Sequence, residues 1–316
     1  MRERLELITA DSVVYSFTTG ARRYILNTGG FGMPPVNYRT QRHVNQQGET
    51  LKSFNLTPRT LQIGLSTAFC TRADMFDGVA DLISVLNPFR GAAELRLYAA
   101  GNIWAIDVYY SAGFELSSDD QPAPNWQGGV LRLTAYNPTW RKITNFGAAY
   151  EGTECTASLV IDAGLIFPFQ FPFAFGNTIT QILDCAGGGG TGGLINAGHL
   201  DAKPTIEIRG PVETPLVRNI TLADSPVELV LDTTIAAGQT ATIYTDWDAL
   251  WVEGPGGANW TGYLTEDSSL VDFVIYAAPT AADGVNYILV SGEGAGSDTR
   301  ISIKYWERYL GIGCPR

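Results

Sequence analysis

The sequence predicts a mainly β protein in two parts, a β-rich N-terminal domain with one α-helix and a C-terminal β-sandwich. Three observations predict it. Short runs of alternating apolar and polar residues, rich in β-branched and aromatic side chains, recur along the whole chain. A convincing helical period occurs at one place. Charge then divides the chain: residues 1–145 hold 14 Lys+Arg and 12 Asp+Glu, residues 146–316 hold 7 and 20, and the resulting +2 and −13 sum to the net −11. With 316 residues, 45% of them hydrophobic and 17% charged, the chain can bury two cores. No run approaches the ~18 apolar residues of a spanning helix, so a soluble protein without a membrane span is expected.

In chain order, the start "MRERLELITADS" is charged, with no apolar stretch and small-residue cleavage site after it, so folding in a cytosol is expected. Strand-like runs follow at "VVYSFTT" (13–19), "RYILNT" (23–28), "TLQIGLSTAF" (60–69), "AAELRLYAAG" (92–101), "IWAIDVYYSAGFEL" (103–116) and "GGVLRLTAYN" (128–137). In "AELRLY", Leu95 and Leu97 would face a core while Glu94 and Arg96 face water. Between the second and third runs lies "GGFGMPPVNYRTQRHVNQQGETLKSFNLTPR" (29–59), with little hydrophobic periodicity. Pro34 and Pro35 force extended backbone there, and Gly29, Gly30 and Gly32 permit a sharp exit. The stretch "TRADMFDGVADLISVLNP" predicts the helix, with Phe76, Val79, Ile83 and Leu86 on its inner face, Thr71 as N-cap with Asp74 three residues on, and Pro88 barring continuation.

Turn and small residues in "YNPTWRKITNFGAAYEGTE" (136–154) mark an interdomain connection, giving domains 1–140 and 155–316 with a linker at 141–154. Beyond it, "CTASLVI" (155–161) and the proline-punctuated "FPFQFPFAFG" (167–176) precede the glycine-rich "CAGGGGTGGLINAG" (185–198), which lacks phosphate-loop spacing and reads as a surface loop. Pro168 and Pro172 place their run at a sheet edge or domain seam. Strand-like runs then recur at 203–211, 216–223, 226–232, 241–247, 249–254, 271–278, 286–294 and 299–310, the pattern of an antiparallel sandwich.

Chemistry has few candidate residues. Cys70, Cys155, Cys185 and Cys314 form no CxxC pair and read as buried or incidental thiols; His43 and His199 belong to no metal motif, and no metal site or cofactor is expected. No GxSxG or Cys–His arrangement provides a nucleophile. Asp246 and Asp248 could divide acid and base roles, with Trp251 and Trp260 stacking on a sugar ring, but solvated acids at a sandwich edge and aromatics filling a sandwich core are the favoured explanation. Asn55, Asn219 and Asn259 stand in N-x-S/T patterns and read as ordinary turn and strand residues. Arg22, Arg23, Arg39, Arg42 and Arg59 flank or lie within the 29–59 stretch, fitting either DNA contact or salt bridges between subunits, with near-neutral surroundings favouring the second.

Taken together, several segments in order resemble the distal tail (Dit) proteins of long, non-contractile-tailed bacteriophages, the siphovirus-type tail components. They are "GMPPVNYRTQRHVNQQGETLKSFNLTPRTLQIGL", the helix ending in "LNPFRG", "ELRLYAAGNIWAIDVYY", "NPTW", "FPFQFPFAFG", "KPTIEIRGPVETPLVRNIT", "YLTEDSSLVDFVI" and "RISIKYWERYLGI". The resemblance implies a belt domain related to tail-tube proteins, β-rich with one helix, followed by a galectin-like β-sandwich. It implies a homo-oligomeric ring, usually a hexamer, at the tip of the virion tail, assembled in the host cytoplasm. Such a ring joins the tail-tube protein to the baseplate hub or tail-associated fibre protein, and DNA transits its lumen without sequence-specific binding. It implies no enzyme and no cofactor.

Within this frame residues 31–49 are expected to form an arm or long hairpin against a neighbouring subunit, with Pro34, Pro35, Tyr38, Arg39 and Arg42 at the interface. Some family members carry inserted carbohydrate-binding modules, but no insertion of domain size is visible here. The alternative is a carbohydrate-binding module for host-surface attachment, carried by Trp247, Trp251 and Trp260.

Overall fold

A computed structural model describes residues 4–17, 23–44, 46–68, 70–113, 126–158, 179–183 and 193–312. The chain divides into two compact units, Met1–Thr144 with Tyr309–Arg316, and Asn145–Arg308. Two features depart from the sequence reading. The C-terminal residues belong with the first unit, where the Tyr309 ring meets Trp104 edge-on at 4.9 Å. Part of the expected linker is strand: Trp140–Ile143 pairs in the first unit, and Trp140 and Ile143 are buried there.

In the first unit the strands are β1 (Arg4–Ile8), β2 (Val14–Ser16), β3 (Arg23–Gly29), β4 (Val36–Gln41), β5 (Thr50–Leu56), β6 (Arg59–Ala68), β7 (Ala93–Ala99), β8 (Asn102–Gly113), β9 (Trp126–Ala135) and β10 (Trp140–Ile143). An antiparallel sheet runs β2-β1-β7-β8-β9-β6-β3, with β10 also beside β8. The 12-residue β8 joins its two halves: Asn102–Val108 pairs with β7, and Tyr109–Gly113 with β9 across a register shift. Leu5, Leu7, Leu95 and Ile106 from one half share a core with Leu61, Ile63, Leu131 and Leu133 from the other. Leu95 is buried and Leu97 packs at the margin of that core, as the alternation in "AELRLY" predicts.

The one α-helix among the described residues, α1 (Arg72–Val85), begins at a reciprocal cap: Asp74 N–H donates to Thr71 Oγ1 and Thr71 N–H to the Asp74 carboxylate, both at 3.1 Å. Its buried face is Met75, Val79, Leu82 and Val85. Of the expected inner face, Val79 is buried and Leu86 packs at the margin of the core. Phe76 and Ile83 are 48% and 60% exposed, because the helix carries two adjacent apolar stripes and the core takes the other one.

The second unit holds β11 (Thr153–Ser158), β12 (Ile179–Ile182), β13 (Leu194–Ile195), β14 (Thr205–Arg209), β15 (Val212–Asn219), β16 (Val227–Val230), β17 (Thr234–Ile235), β18 (Thr240–Asp246), β19 (Ala249–Glu253), β20 (Val285–Asn286), β21 (Ile288–Glu293) and β22 (Arg300–Tyr305). Two antiparallel sheets, β11-β22-β14-β18-β19 and β12-β21-β15-β16 with β17 beside β15, enclose one core. Ile206, Ile243 and Ile303 from one sheet meet Val217, Leu229 and Val290 from the other. This is the predicted sandwich. Residues 271–278, expected as a strand, instead make a single bridge, Ile275 to Ala202, although Phe273 and Ile275 are fully buried. Cys155 is disulfide-bonded, which corrects its reading as an isolated thiol; Cys70 is exposed and not in a disulfide.

Candidate functional site

Strands β4 and β5 form a two-stranded hairpin outside the main sheet. Its pairs run from Val36–Leu56 through Tyr38–Phe54 to Gln41–Thr50, with Lys52 left over where the register shifts. That extra residue brings Leu51 opposite Thr40. With the alternation of the pleat, Val36, Tyr38, Leu51, Phe54 and Leu56 then share one face, while Asn37, Arg39, Gln41, Ser53 and Asn55 share the other. Tyr38 and Phe54 lie 6.5 Å apart, centroid to centroid. The apolar face has no cover of its own: Tyr38, Leu51 and Phe54 are 60%, 54% and 63% exposed. A lone two-stranded hairpin is marginal in water, so an uncovered face of this kind calls for a partner.

The arm's root is fixed within its own unit. Gly30 has φ +82°, and a Cβ there would run into the Thr60 carbonyl, so glycine is required at the exit from β3. Pro35 O accepts from Thr57 N–H at 3.0 Å where the strands close. Below, the Arg59 guanidinium donates to the carbonyls of Gly30 (3.2 Å), Gly32 (2.9 Å) and Leu310 (2.6 Å) and lies over the Trp140 ring. Phe31 stacks on the other aromatic of this nest, Trp140, at 5.4 Å. Burial pushes the guanidinium down to about 10, so it remains charged at neutral pH, and three carbonyl acceptors hold that charge.

The predicted interface residues therefore separate. Tyr38, Arg39 and Arg42 are exposed on the arm, as is Pro35 near its root. Pro34 is buried and offers no surface to a neighbour. Arg59 is also buried, so the expectation of a salt bridge between subunits is corrected: its work is intramolecular. Arg22 and the side chain of Arg23 lie outside the described residues, as do Cys185, Cys314, "FPFQFPFAFG" and most of the glycine-rich loop. Sequence reasoning missed Leu51 and Phe54, because they stand three apart and only the extra Lys52 places them on one face.

The tryptophan and acid cluster does not assemble into a cleft. Trp247 and Asp248 form the turn between β18 and β19, so Asp246 and Asp248 are not neighbours on a strand face. Asp246 accepts from Arg308 at 2.7 Å and from Trp247 N–H at 2.8 Å. Trp247 is 66% exposed, with Lys203 Nζ 4.5 Å from its ring centroid. Burial lowers the Lys203 ammonium, against the pull of Asp272 and Asp246. Trp251 stacks on Tyr244 on the sheet's outer face, at 5.4 Å. Trp260 packs against the core and the Gly254 backbone. Among the three Asn-x-Ser/Thr sites, Asn219 is buried and ties Thr221 to Val274, Asn259 caps Thr261, and Asn55 is exposed on the arm.

No group of three or more His, Cys, Asp or Glu among the described residues could hold a metal ion, and no described helix is long and apolar enough to cross a membrane. No protein-family model matches the sequence, and no curated protein does either. Solved structures do. The phage SPP1 Dit protein, described as a paradigm of hub adsorption apparatus in phages infecting Gram-positive hosts, aligns with a TM-score of 0.62 at 10% identity, over 96% of this chain and 98% of that one. Chains of the phage P2 baseplate in its activated conformation, with calcium and with strontium, align over the same shares, with TM-scores of 0.51 and 0.52 at 11% and 10% identity. Over 96% of its length the chain shares the fold of the SPP1 Dit protein.

Proposed function

We propose that this protein is a structural component of a phage tail tip, whose first units associate into a closed ring, hexameric by analogy with the family it resembles. The ring joins the tail-tube protein to the baseplate hub or tail-associated fibre protein, and DNA transits its lumen. It acts in the virion after assembly in the host cytoplasm, through surfaces, with no catalytic step. The observation that carries this reading is a fold shared over 96% of the chain with a phage hub protein. Composition agrees: +2 on the first 145 residues and −13 on the rest offer little to hold phosphate, so DNA can pass without being bound.

A cyclic ring is built from heterologous contacts, one patch on each subunit docking a different patch on the next. The arm supplies the first patch, with Tyr38, Arg39 and Arg42 exposed and Pro35 at the root. Excising residues 37–55 and joining Val36 to Leu56, which already face each other, tests this. Light scattering and negative-stain images of the intact chain should show rings, and the excised chain should be a monomer that keeps the circular dichroism of its folded units. Rings that survive excision would refute the arm's role. The glycan-binding alternative is less well served, since of its three tryptophans only Trp247 is largely exposed.

A further inference from the structure

The sheet β11-β22-β14-β18-β19 carries its side chains in rows that cross the strands. Ile206, Ile208, Ile301 and Ile303 are fully buried, so the residues alternating with them face outward. One outward row runs Ser158, Arg300, Arg209, Thr240, with Arg300 directly opposite Arg209 and all four residues exposed. Like charges set opposite each other on one face of a ladder repel, so this pair calls for a counter-charge. Acids are plentiful: residues 145–308 contain twenty Asp and Glu against six Lys and Arg. Four of those six cations are engaged. Arg218 pairs with Glu228, Lys304 with Glu154 and Glu207, and Arg308 with Asp246, while Lys203 donates to the Val271 carbonyl and lies over the Trp247 ring. Arg209 and Arg300 have no such partner among the described residues.

The acids of the same face are held by other groups. Lys304 Nζ lies 2.7 Å from Glu207 and 3.7 Å from Glu154, and Glu253 accepts from the Tyr244 hydroxyl at 3.0 Å. In the adjoining row the Thr156 and Ser302 hydroxyls bond to each other at 2.7 Å. The end row therefore offers two guanidiniums between two hydroxyls, with no acid among them. Opposite positions on antiparallel strands are about 5 Å apart, close enough for two guanidinium forks to converge on one group. Planar guanidiniums hold oxyanions through paired hydrogen bonds, and two of them match the charge of a dianion. We propose that Arg209 and Arg300, with Ser158 and Thr240 on either side, bind a tetrahedral oxyanion, a phosphoryl or sulfate group. The excess of acid around the row confines its attraction to a single group and repels a polyanion such as DNA. This site belongs to the second unit and stands whether or not the first units form a ring.

Phosphorus NMR of inorganic phosphate, titrated with the intact chain at constant ionic strength, tests this. The resonance should broaden as protein is added, and sulfate should reverse the broadening where acetate does not. Arg209→Gln with Arg300→Gln should weaken binding by at least about tenfold. That variant relieves a like-charge contact, so in phosphate-free buffer it should melt no lower than the parent, which separates loss of the site from loss of the fold. Arg209→Lys with Arg300→Lys keeps the charge without the forks and should weaken binding by about fivefold. Phosphate should raise the melting temperature of the parent and leave that of the glutamine variant unchanged. No broadening by the parent, or equal broadening by the glutamine variant, would overturn the proposal. Acetate competing as well as sulfate would also overturn it, and would make the pair a contact for the carboxylates of another protein.

Discussion

Two hairpins of this chain have similar backbones and opposite circumstances. Strands β18 and β19 pair from Thr242–Glu253 to Asp246–Ala249, and β14 extends the ladder on the far side of β18. Their inward residues Ala241, Ile243, Thr245 and Val252 are fully buried in the sandwich. Strands β4 and β5 pair over a comparable length, yet no third strand joins them among the described residues, and positions 37–41 and 50–55 are exposed on both faces. Ladder hydrogen bonds are therefore common to both, and burial separates them. Where burial within the chain is complete, a hairpin serves stability; where apolar residues are aligned and left uncovered, it is equipped for a surface that the chain does not itself supply.

The largest effect should come from the buried hairpin. Ile243→Ala removes a fully buried side chain between the two sheets and should cost the second unit about 3 kcal/mol, read by chemical denaturation. An equal loss from an alanine at Tyr38 or Phe54 would abolish the distinction between the hairpins. Next comes the anchor. Arg59→Met keeps the length of the side chain but removes its three charge-assisted bonds to carbonyls, and should cost the first unit about 2 kcal/mol. Proteolysis within residues 31–41 should quicken in that variant. Arg59→Lys should rescue little, because one ammonium cannot replace two guanidinium nitrogens reaching Gly30 and Gly32 on one side and Leu310 on the other. Helix α1 combines both conditions, with Met75, Val79, Leu82 and Val85 buried and Phe76 and Ile83 exposed. Thr71→Ala, which removes its cap, should lower the first unit's stability by about 1 kcal/mol.

Local rules made much of this legible. The reciprocal cap of Thr71 and Asp74, the helix end before Pro88 and most sandwich strands follow from capping, proline geometry and alternation. What sequence reasoning could not reach was the choice among partners. Both stripes of α1 are apolar, so periodicity identifies a helix without saying whether Phe76 and Ile83, or Met75 and Leu82, face the core. In residues 271–278 the alternation at Phe273, Ile275 and Ala277 reports burial correctly, but burial does not require a ladder, and only one bridge forms. Arg59 read as a surface charge because nothing local announces that the carbonyls of Gly30, Gly32 and Leu310 converge on it, the last from 251 residues away. The arm's apolar face was hidden by Lys52, whose extra residue breaks the period of two in the sequence and restores it in the fold.

The smallest effect on stability should accompany a large effect on assembly, and it is the sharpest test of the comparison. Phe54→Ala truncates a ring that is 63% exposed and touches little besides Tyr38. Surface truncations of this kind change folding free energy by about 0.5 kcal/mol or less, so denaturation of the monomer should scarcely register it. Interfaces concentrate their binding energy in a few aromatic anchors, and an alanine at such an anchor costs ~2 kcal/mol or more of association at each contact. A ring repeats that contact at every junction, so the loss accumulates around the circle. The variant should therefore melt like the parent and sediment as a monomer at concentrations where the parent is assembled. If it sediments with the parent, the uncovered face of the arm is an ordinary exposed surface, and the two hairpins differ in burial alone.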